Sequence, residues 1–566
     1  MADSQSAEDF FSVAEQLLDR GIAALKALIP IIWLQSKTTP IQFLVGGTVV
    51  LLVSLLLGIS PPQDPAEPPL IKPRIPVVGH FWGLFRGHAA YFTRLYDRTK
   101  LPIATVTVGH QKLYVIYDGA LQQAALRAKD MDAQTLMVDA VALIFGVHQT
   151  TVDTLLGRDG VHPSIMAPME HVFKLTLQGE NMSRLARTAL GALADTLNSV
   201  DNAAGGIPVP NLYRWLQTLV SQTTSKALWG EHNPYQNGSL ISAQWEFDDN
   251  VSPVMMLGIF PSLLARKAHR ARVRIAAALE RYFSARHDSD SDSGASAFVR
   301  ERSRLLRSYG VDDGELARNE TAITLVATSN AVSTLFWCLA EVFARPDLLR
   351  DVRAEAARAV IVTESGRDSQ ETAGKGQWQR ATVPAVGLEA RVPLLASAYR
   401  DAIRLASQSV ASRRVLRDTV ILGGGGGGPS YLLKAGTDVF LPAKQVHRDR
   451  AVWGDDAEAF NARRFLSRAQ GGDASDDTLR LRKAAFVPFG GGKHLCPGRH
   501  FAFVENLATM TALALGFELD GLDAVRLDMA ESKRGETAKP VPGMAGGPVV
   551  LRRRKGWEHV VWEFSC

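Results

Sequence analysis

The sequence predicts a mainly α-helical protein with a minor β-sheet region, preceded by one N-terminal transmembrane helix. Apolar residues recur at helical spacing over most of the chain beyond residue 77, β-patterned stretches are few and short, and one uncharged run lies near the N-terminus. The 566 residues, 46% hydrophobic and 21% charged, supply a sizeable core and exclude a short disulfide scaffold or a wholly disordered tail. Lys and Arg number 63 against 58 Asp and Glu, a net charge of +5 without a concentrated basic block, which argues against a nucleic-acid binder. Length alone would suggest three or four domains, but no polar stretch divides the chain into obvious units.

Residues 1–40 repeat apolar residues at helical spacing and fit an amphipathic segment at a membrane surface. Residues 41–60, IQFLVGGTVVLLVSLLLGIS, carry no charge over the length needed to cross a hydrocarbon core, and are read as an uncleaved anchor. Prolines 61, 62, 65, 68, 69, 73 and 76 stop that helix and stiffen a hinge over 61–76. Residues 77–566 are then read as a single domain. Helices are expected at 182–200, 210–229, 266–285, 312–344, 346–361, 395–406 and 498–515, and strands at 103–117, 411–422, 430–442 and 548–564. Polar stretches at 288–296, 364–379 and 471–477 read as surface insertions. The run of six glycines at 423–428 lacks the Lys-Ser/Thr of a phosphate loop and reads as a hairpin connection.

Three cysteines, Cys338, Cys496 and Cys566, build neither a disulfide framework nor a zinc site. Cys496 stands apart. It lies in Phe486-Val-Pro-Phe489-Gly-Gly-Gly492-Lys-His494-Leu-Cys496-Pro-Gly498, just before a long apolar helical pattern. A helix entrance favours the thiolate through unpaired N–H groups and the helix dipole, making Cys496 a potential metal ligand. Gly490, Gly491 and Gly492 would let the backbone approach a flat partner, and Gly498 would let the chain turn into the helix.

Phe489, Gly492, His494, Cys496 and Gly498 occupy, in order, the positions of the haem-binding signature of the cytochrome P-450 superfamily, which this segment resembles. Asp401-Ala-Ile-Arg404 is similar to the family's Glu-x-x-Arg pair, with aspartate for glutamate. Phe460-Asn-Ala462-Arg-Arg464-Phe465 is similar to its Phe-x-Pro-x-Arg-Phe segment, with Ala462 at the proline position. The resemblance covers residues 41 to about 563 and is nearest to the branch of sterol 7-alpha-hydroxylases, prostacyclin synthase and their fungal relatives. It implies a haem whose iron is held by Cys496 and whose propionates meet His494 and Arg413 or Arg414. It also implies a buried network of Asp401, Arg404 and Arg464 behind the haem-side loop, with the shorter acid straining its geometry.

A thiolate-bound haem implies oxygen activation. The resemblance further implies a monooxygenase of lipophilic molecules such as a terpenoid, steroid or polyketide. Electrons would come from NADPH through a reductase that docks on a basic face of Arg464, Arg482, Lys483, Lys493 and Arg499. The enzyme would sit in the endoplasmic reticulum membrane with its catalytic domain in the cytosol. The helix at 312–344 should cross the distal side of the haem, yet it reads Ala327-Thr-Ser329-Asn330-Ala331 where the family places an acid and a threonine. An amide does not relay protons, although it orders a water or a substrate oxygen. Asn330 and Ser329, with Ser333, are the candidates on this side. Two other readings stay open: rearrangement of a peroxide carried by the substrate without external electrons, and a haem binder without turnover.

Overall fold

The computed structural model describes residues 63–566, apart from 74–77, 109–110, 201–204, 252–259, 290–292, 365–378, 424–428, 523–528, 531, 533–535 and 545. The proposed amphipathic segment, the anchor and part of the hinge lie outside the described residues.

Helices dominate, as expected. The seven expected helices are Gly179–Asn198, Leu212–Trp229, Arg266–Ser284, Asp313–Phe343, Pro346–Ala359, Pro393–Ala406 and Arg499–Gly516. Sequence reading passed over Val78–Thr99, Gly119–Arg127, Gln134–Phe145, Met166–Thr176, Gly238–Asn250 and Ala297–Ser308. The central helix is Asp313–Phe343, which the Asp312 carboxylate caps by accepting from the Glu315 N–H at 2.8 Å. Its length and apolarity would suit a membrane span, but 72% of its apolar window is buried in the protein, so it is a core helix. Arg266–Ser284, Leu212–Trp229, Pro393–Ala406 and Arg499–Gly516 pack around it. Residues of all five helices belong to the largest apolar cluster.

The main sheet has five strands in the order Ile103–Val108, Gln111–Ile116, Asp438–Pro442, Val410–Val415 and Met131–Asp132. Neighbours are antiparallel except Gln111–Ile116 with Asp438–Pro442, which run parallel. The expected strands 411–422 and 430–442 each split in two. Their inner halves, Thr419–Leu422 and Ser430–Leu433, form the hairpin across the glycine run, while the outer halves pair in the main sheet. The expected strand 548–564 is likewise two strands, Val549–Arg553 and Val560–Ser565, in different three-stranded sheets. The stretch 288–296 is not simply an outlying insertion: Asp288 is buried and accepts from Arg307 at 2.5 Å, tying the stretch to the helix Ala297–Ser308.

Candidate active site

Cys496 lies between the turn Gly492–His494 and the helix Arg499–Gly516. Its N–H donates to Phe489 O at 3.0 Å, closing the loop on itself, while the Phe489 ring packs on the main core. Burial pushes the thiol up; the N–H groups of Gly498 and Arg499 and the Arg499 guanidinium pull it down. Those N–H groups begin the helix and lack intrahelical acceptors, so they favour a sulfur that carries negative charge. Cys338, by contrast, is wholly buried in the central helix and its thiol is pushed up by desolvation.

Two of the glycines have a packing role within the protein itself. A Cβ on Gly492 would stand 1.9 Å from Leu126 O, and one on Gly491 would stand 2.9 Å from Leu126 Cδ1. Gly491 and Gly492 thus let the loop dock closely on the end of the helix Gly119–Arg127. Gly492 also has φ of +64°, a left-handed conformation that suits glycine. Gly498 has φ of −80° and ψ of 0°, which any residue adopts, so the turn into the helix does not require it.

Three basic side chains converge beside this loop. Arg413 is buried and donates to Gly491 O at 3.1 Å; burial lowers its pKa and Asp132 raises it. Lys493 Nζ and His494 Nε2 lie 3.4 and 3.3 Å from the same Asp132 oxygen. His494 Nε2 is buried and lacks hydrogen-bond geometry to any partner among the described residues. Burial and the nearby Arg413 hold its pKa down. Three basic groups facing one carboxylate suit an anionic ligand, so the donor set fits a haem with its thiolate ligand and paired propionates. Arg414 instead pairs with Asp438 at 2.8 Å.

Behind the loop, Asp401, Arg404 and Arg464 do meet, and the shorter acid reaches both partners. Asp401 Oδ1 is 2.6 Å from Arg404 Nε and 2.9 Å from Arg464 Nε, and Oδ2 accepts from Asn461 N at 2.7 Å. All three residues are buried. Arg464 Nη1 donates to Trp453 O at 2.6 Å, so Arg464 is a core residue and leaves the expected basic surface. Arg482 is half-buried against it, donating to Arg464 O at 2.7 Å, while Lys483 remains exposed.

Sequence reading missed His447. Arg404 Nη1 donates to its carbonyl at 2.7 Å, and its ring Nε2 accepts from Val487 N at 3.0 Å, two residues before Phe489. Burial, reinforced by Arg404, lowers its pKa to about 3, so the ring is neutral with its proton on Nδ1. The segment Val446-His447-Arg448-Asp449 was visible, but nothing in it distinguishes a buried acceptor from a surface histidine. Sequence reading also passed over Glu505, a fully buried carboxyl on the cysteine helix.

On the central helix, Val326 is 64% exposed and Asn330 is exposed, with Ile323 and Ala327 partly so. These positions are three, four and seven apart and form one open stripe on an otherwise buried helix. Asn506, in the third turn of the cysteine helix, donates to Ala331 O at 3.0 Å and joins the two helices at the end of that stripe. Ser329 lies about 100° around the helix from Asn330 and is buried. Ser333 is occupied in the core, 2.9 Å from the Tyr213 hydroxyl and donating to Ser329 O.

The family model for Cytochrome P450 matches residues 68–544. A cytochrome P450 monooxygenase of Gibberella zeae is 32% identical over 92% of this chain and 95% of its own length. The cytochrome P450 monooxygenase nodJ of Hypoxylon pulicicidum is 27% identical over 88% of this chain and 92% of its own. Cytochrome P450 7B1 of Mus musculus is 23% identical over 87% and 92%. With a cysteine loop at a helix start, a basic cluster beside it and relatives of one kind matched over nearly their whole length, the chain belongs to the cytochrome P450 family of haem-thiolate monooxygenases.

Proposed function

We propose that this enzyme is a membrane-anchored monooxygenase that inserts one atom of dioxygen into a lipophilic small molecule, with electrons delivered from NADPH by a reductase. The observation that carries this reading is Cys496 at the start of the helix Arg499–Gly516, with the N–H groups of Gly498 and Arg499 directed to its sulfur. Cys496 would hold the haem iron through its sulfur, and Arg413 and His494 would hold the propionates. When bound, the haem supplies oxygen activation, its thiolate favouring O–O cleavage.

The protein's own part is to orient and enclose. Ile323, Val326 and Ala327 offer the substrate an apolar surface, which supports a terpenoid, steroid or polyketide of secondary metabolism. Lys483 and half-exposed Lys493 remain for an acidic reductase, whose approach such charges would steer. The uncharged run at 41–60 supports single-pass anchoring in the endoplasmic reticulum, with the catalytic domain in the cytosol.

Asn330 and Ala331 favour a second reading, rearrangement of a substrate peroxide. Neither side chain donates a proton with a useful pKa. The helix's acids are engaged elsewhere: Glu320 pairs with Arg302 at 2.6 Å, and Glu315 pairs with Arg318. The test is to reconstitute the full chain in membranes, first with NADPH and reductase, then with a lipid hydroperoxide alone. Substrate-dependent NADPH consumption with oxygen incorporation is expected; hydroperoxide rearrangement without NADPH would replace the first reading with the second. Cys496→Ser is expected to abolish the thiolate-haem carbonyl spectrum, and a surviving spectrum would refute the ligand assignment.

A further inference from the structure

Residues 536–540 meet the open stripe of the central helix at Asn330, and the described residues on both sides of that crossing are tied down. Before it, Gln408 accepts from Ser532 N at 2.7 Å and donates to Ala530 O at 3.1 Å. After it, Trp337 Nε1 donates to Ala538 O at 2.7 Å, Ala538 N donates to Ala406 O at 2.7 Å, and Lys539 Nζ donates to Asp248 at 2.5 Å. At the crossing itself, Thr537 N donates to the side-chain oxygen of Asn330 at 2.9 Å.

That last bond fixes the orientation of the amide, because a backbone N–H requires an acceptor and only Oδ1 is one. Asn330 therefore presents its oxygen to the chain and its NH2 away from Thr537. The flanking ties are all made by other residues, so they persist when the Asn330 side chain is shortened.

We infer that Asn330 is a positioning residue that pins Thr537 over the open stripe and thereby selects the shape of molecule admitted there. This rests on the proposed reading that the stripe borders the substrate. It also gives the amide in place of the expected acid a role: a carboxylate at this position would accept the same bond, whereas alanine would not.

The test uses the full-length haem-loaded protein and the variants Asn330→Ala and Asn330→Asp. Amide hydrogen exchange is followed in peptides covering Thr537, and haem absorbance reports binding of two probes, imidazole and the bulky clotrimazole. In Asn330→Ala, exchange near Thr537 should quicken by roughly five-fold, the loss of one hydrogen bond. The ratio of the two azole affinities should shift by a similar factor. Asn330→Asp should restore wild-type protection and the wild-type ratio, whereas a third variant, Asn330→Leu, which restores the bulk without an acceptor, should behave as Asn330→Ala does; rescue by leucine would overturn the pinning. Unchanged exchange in Asn330→Ala would overturn the pinning, and faster exchange with an unchanged azole ratio would overturn its role in selection. Neither readout needs turnover, so a protein that fails the NADPH assay but passes this one would refute the monooxygenase reading alone.

Discussion

Glu505 offers a quantitative test of how the cysteine helix is held. Its carboxyl is fully buried and has no cationic partner among the described residues; the hydroxyls of Thr223 and Thr224 donate to it at 2.9 and 3.1 Å. Burial raises its pKa from 4.5 to about 7, and the two threonines only partly oppose that rise. The sign follows from proton uptake. Between about pH 4.5 and 7 the folded protein keeps a proton that the unfolded chain has lost, so stability falls as pH rises across this window and is level above it. The shift corresponds to about 3 kcal/mol. Glu505→Gln keeps the shape and the acceptor oxygen but removes the ionisation. The variant should therefore match the wild type near pH 4.5 and exceed it by about 3 kcal/mol at pH 8. With roughly 2 cal/mol/K of unfolding entropy per residue over about 500 residues, that is about 3 °C in the unfolding midpoint. Calorimetry of both proteins from pH 4.5 to 8 measures the difference, in which all other titrating groups cancel. A difference that is flat with pH, or that grows towards acid, would refute the reasoning.

The acid side should be governed by His447. Its pKa of about 3, below the ordinary 6.5, means that the unfolded chain takes up a proton that the folded ring refuses. Stability is then lost as pH falls from 6.5 towards 3. His447→Gln should flatten this acid limb of haem retention measured by absorbance, and an unaltered limb would contradict the assignment. Asp401→Ala leaves the buried Arg404 guanidinium without its carboxylate and Arg464 with Asp456 alone, and should cost about 3–5 kcal/mol in denaturant unfolding; a cost below about 1 kcal/mol would mean that Asp456, water or relaxation supplies the missing charge. Gly492→Ala would force a Cβ to 1.9 Å from Leu126 O at a positive φ, so haem incorporation on expression should collapse. Normal haem content in that variant would mean that the loop does not dock on the helix Gly119–Arg127.

The legible parts of the sequence were those whose chemistry is local. Helices such as Asp313–Phe343 and Arg499–Gly516 announce themselves through sustained apolar periodicity, and their boundaries fell within a residue or two. Short, charge-rich helices were passed over: Ala297–Ser308 keeps Phe298, Val299 and Leu306 on one buried face, but its four arginines make the stretch polar on average, and one of them, Arg302, is itself buried against Glu320. The split strands failed for another reason. A stretch such as 410–422 has continuous β character, and only tertiary pairing decides that its halves belong to different sheets. At the site, Asp401, Arg404, Arg464 and Cys496 were readable because each sits in a spaced motif. Asp132 and His447 were not, since their partners lie hundreds or tens of residues away.

The position of His447 explains why a buried charge network is kept where apolar packing would cost less. Two arginines inside a core carry a desolvation penalty, which lowers the pKa of Arg404. The penalty is offset by directional bonds that apolar side chains lack. Arg404 holds the carbonyls of His447, Ala457 and Ala459, and Arg464 holds those of Trp453, Asp456 and Ala459. Five backbone carbonyls in an irregular stretch thereby gain fixed donors, without a helix or sheet to supply them. The fixed backbone sets the His447 ring, the ring accepts from Val487, and Phe489 two residues later accepts from Cys496 N. The aspartate in place of the longer acid fits this chain of contacts: it sits 2.6 Å from Arg404 while Asn461 N reaches its other oxygen, so the 461–464 backbone approaches the acid and spans the missing methylene. On this account the network positions the cysteine loop through hydrogen-bonded backbone, and Asp401→Glu, which adds the methylene back to a site already closed, should destabilise the protein by about 1–3 kcal/mol of overpacking.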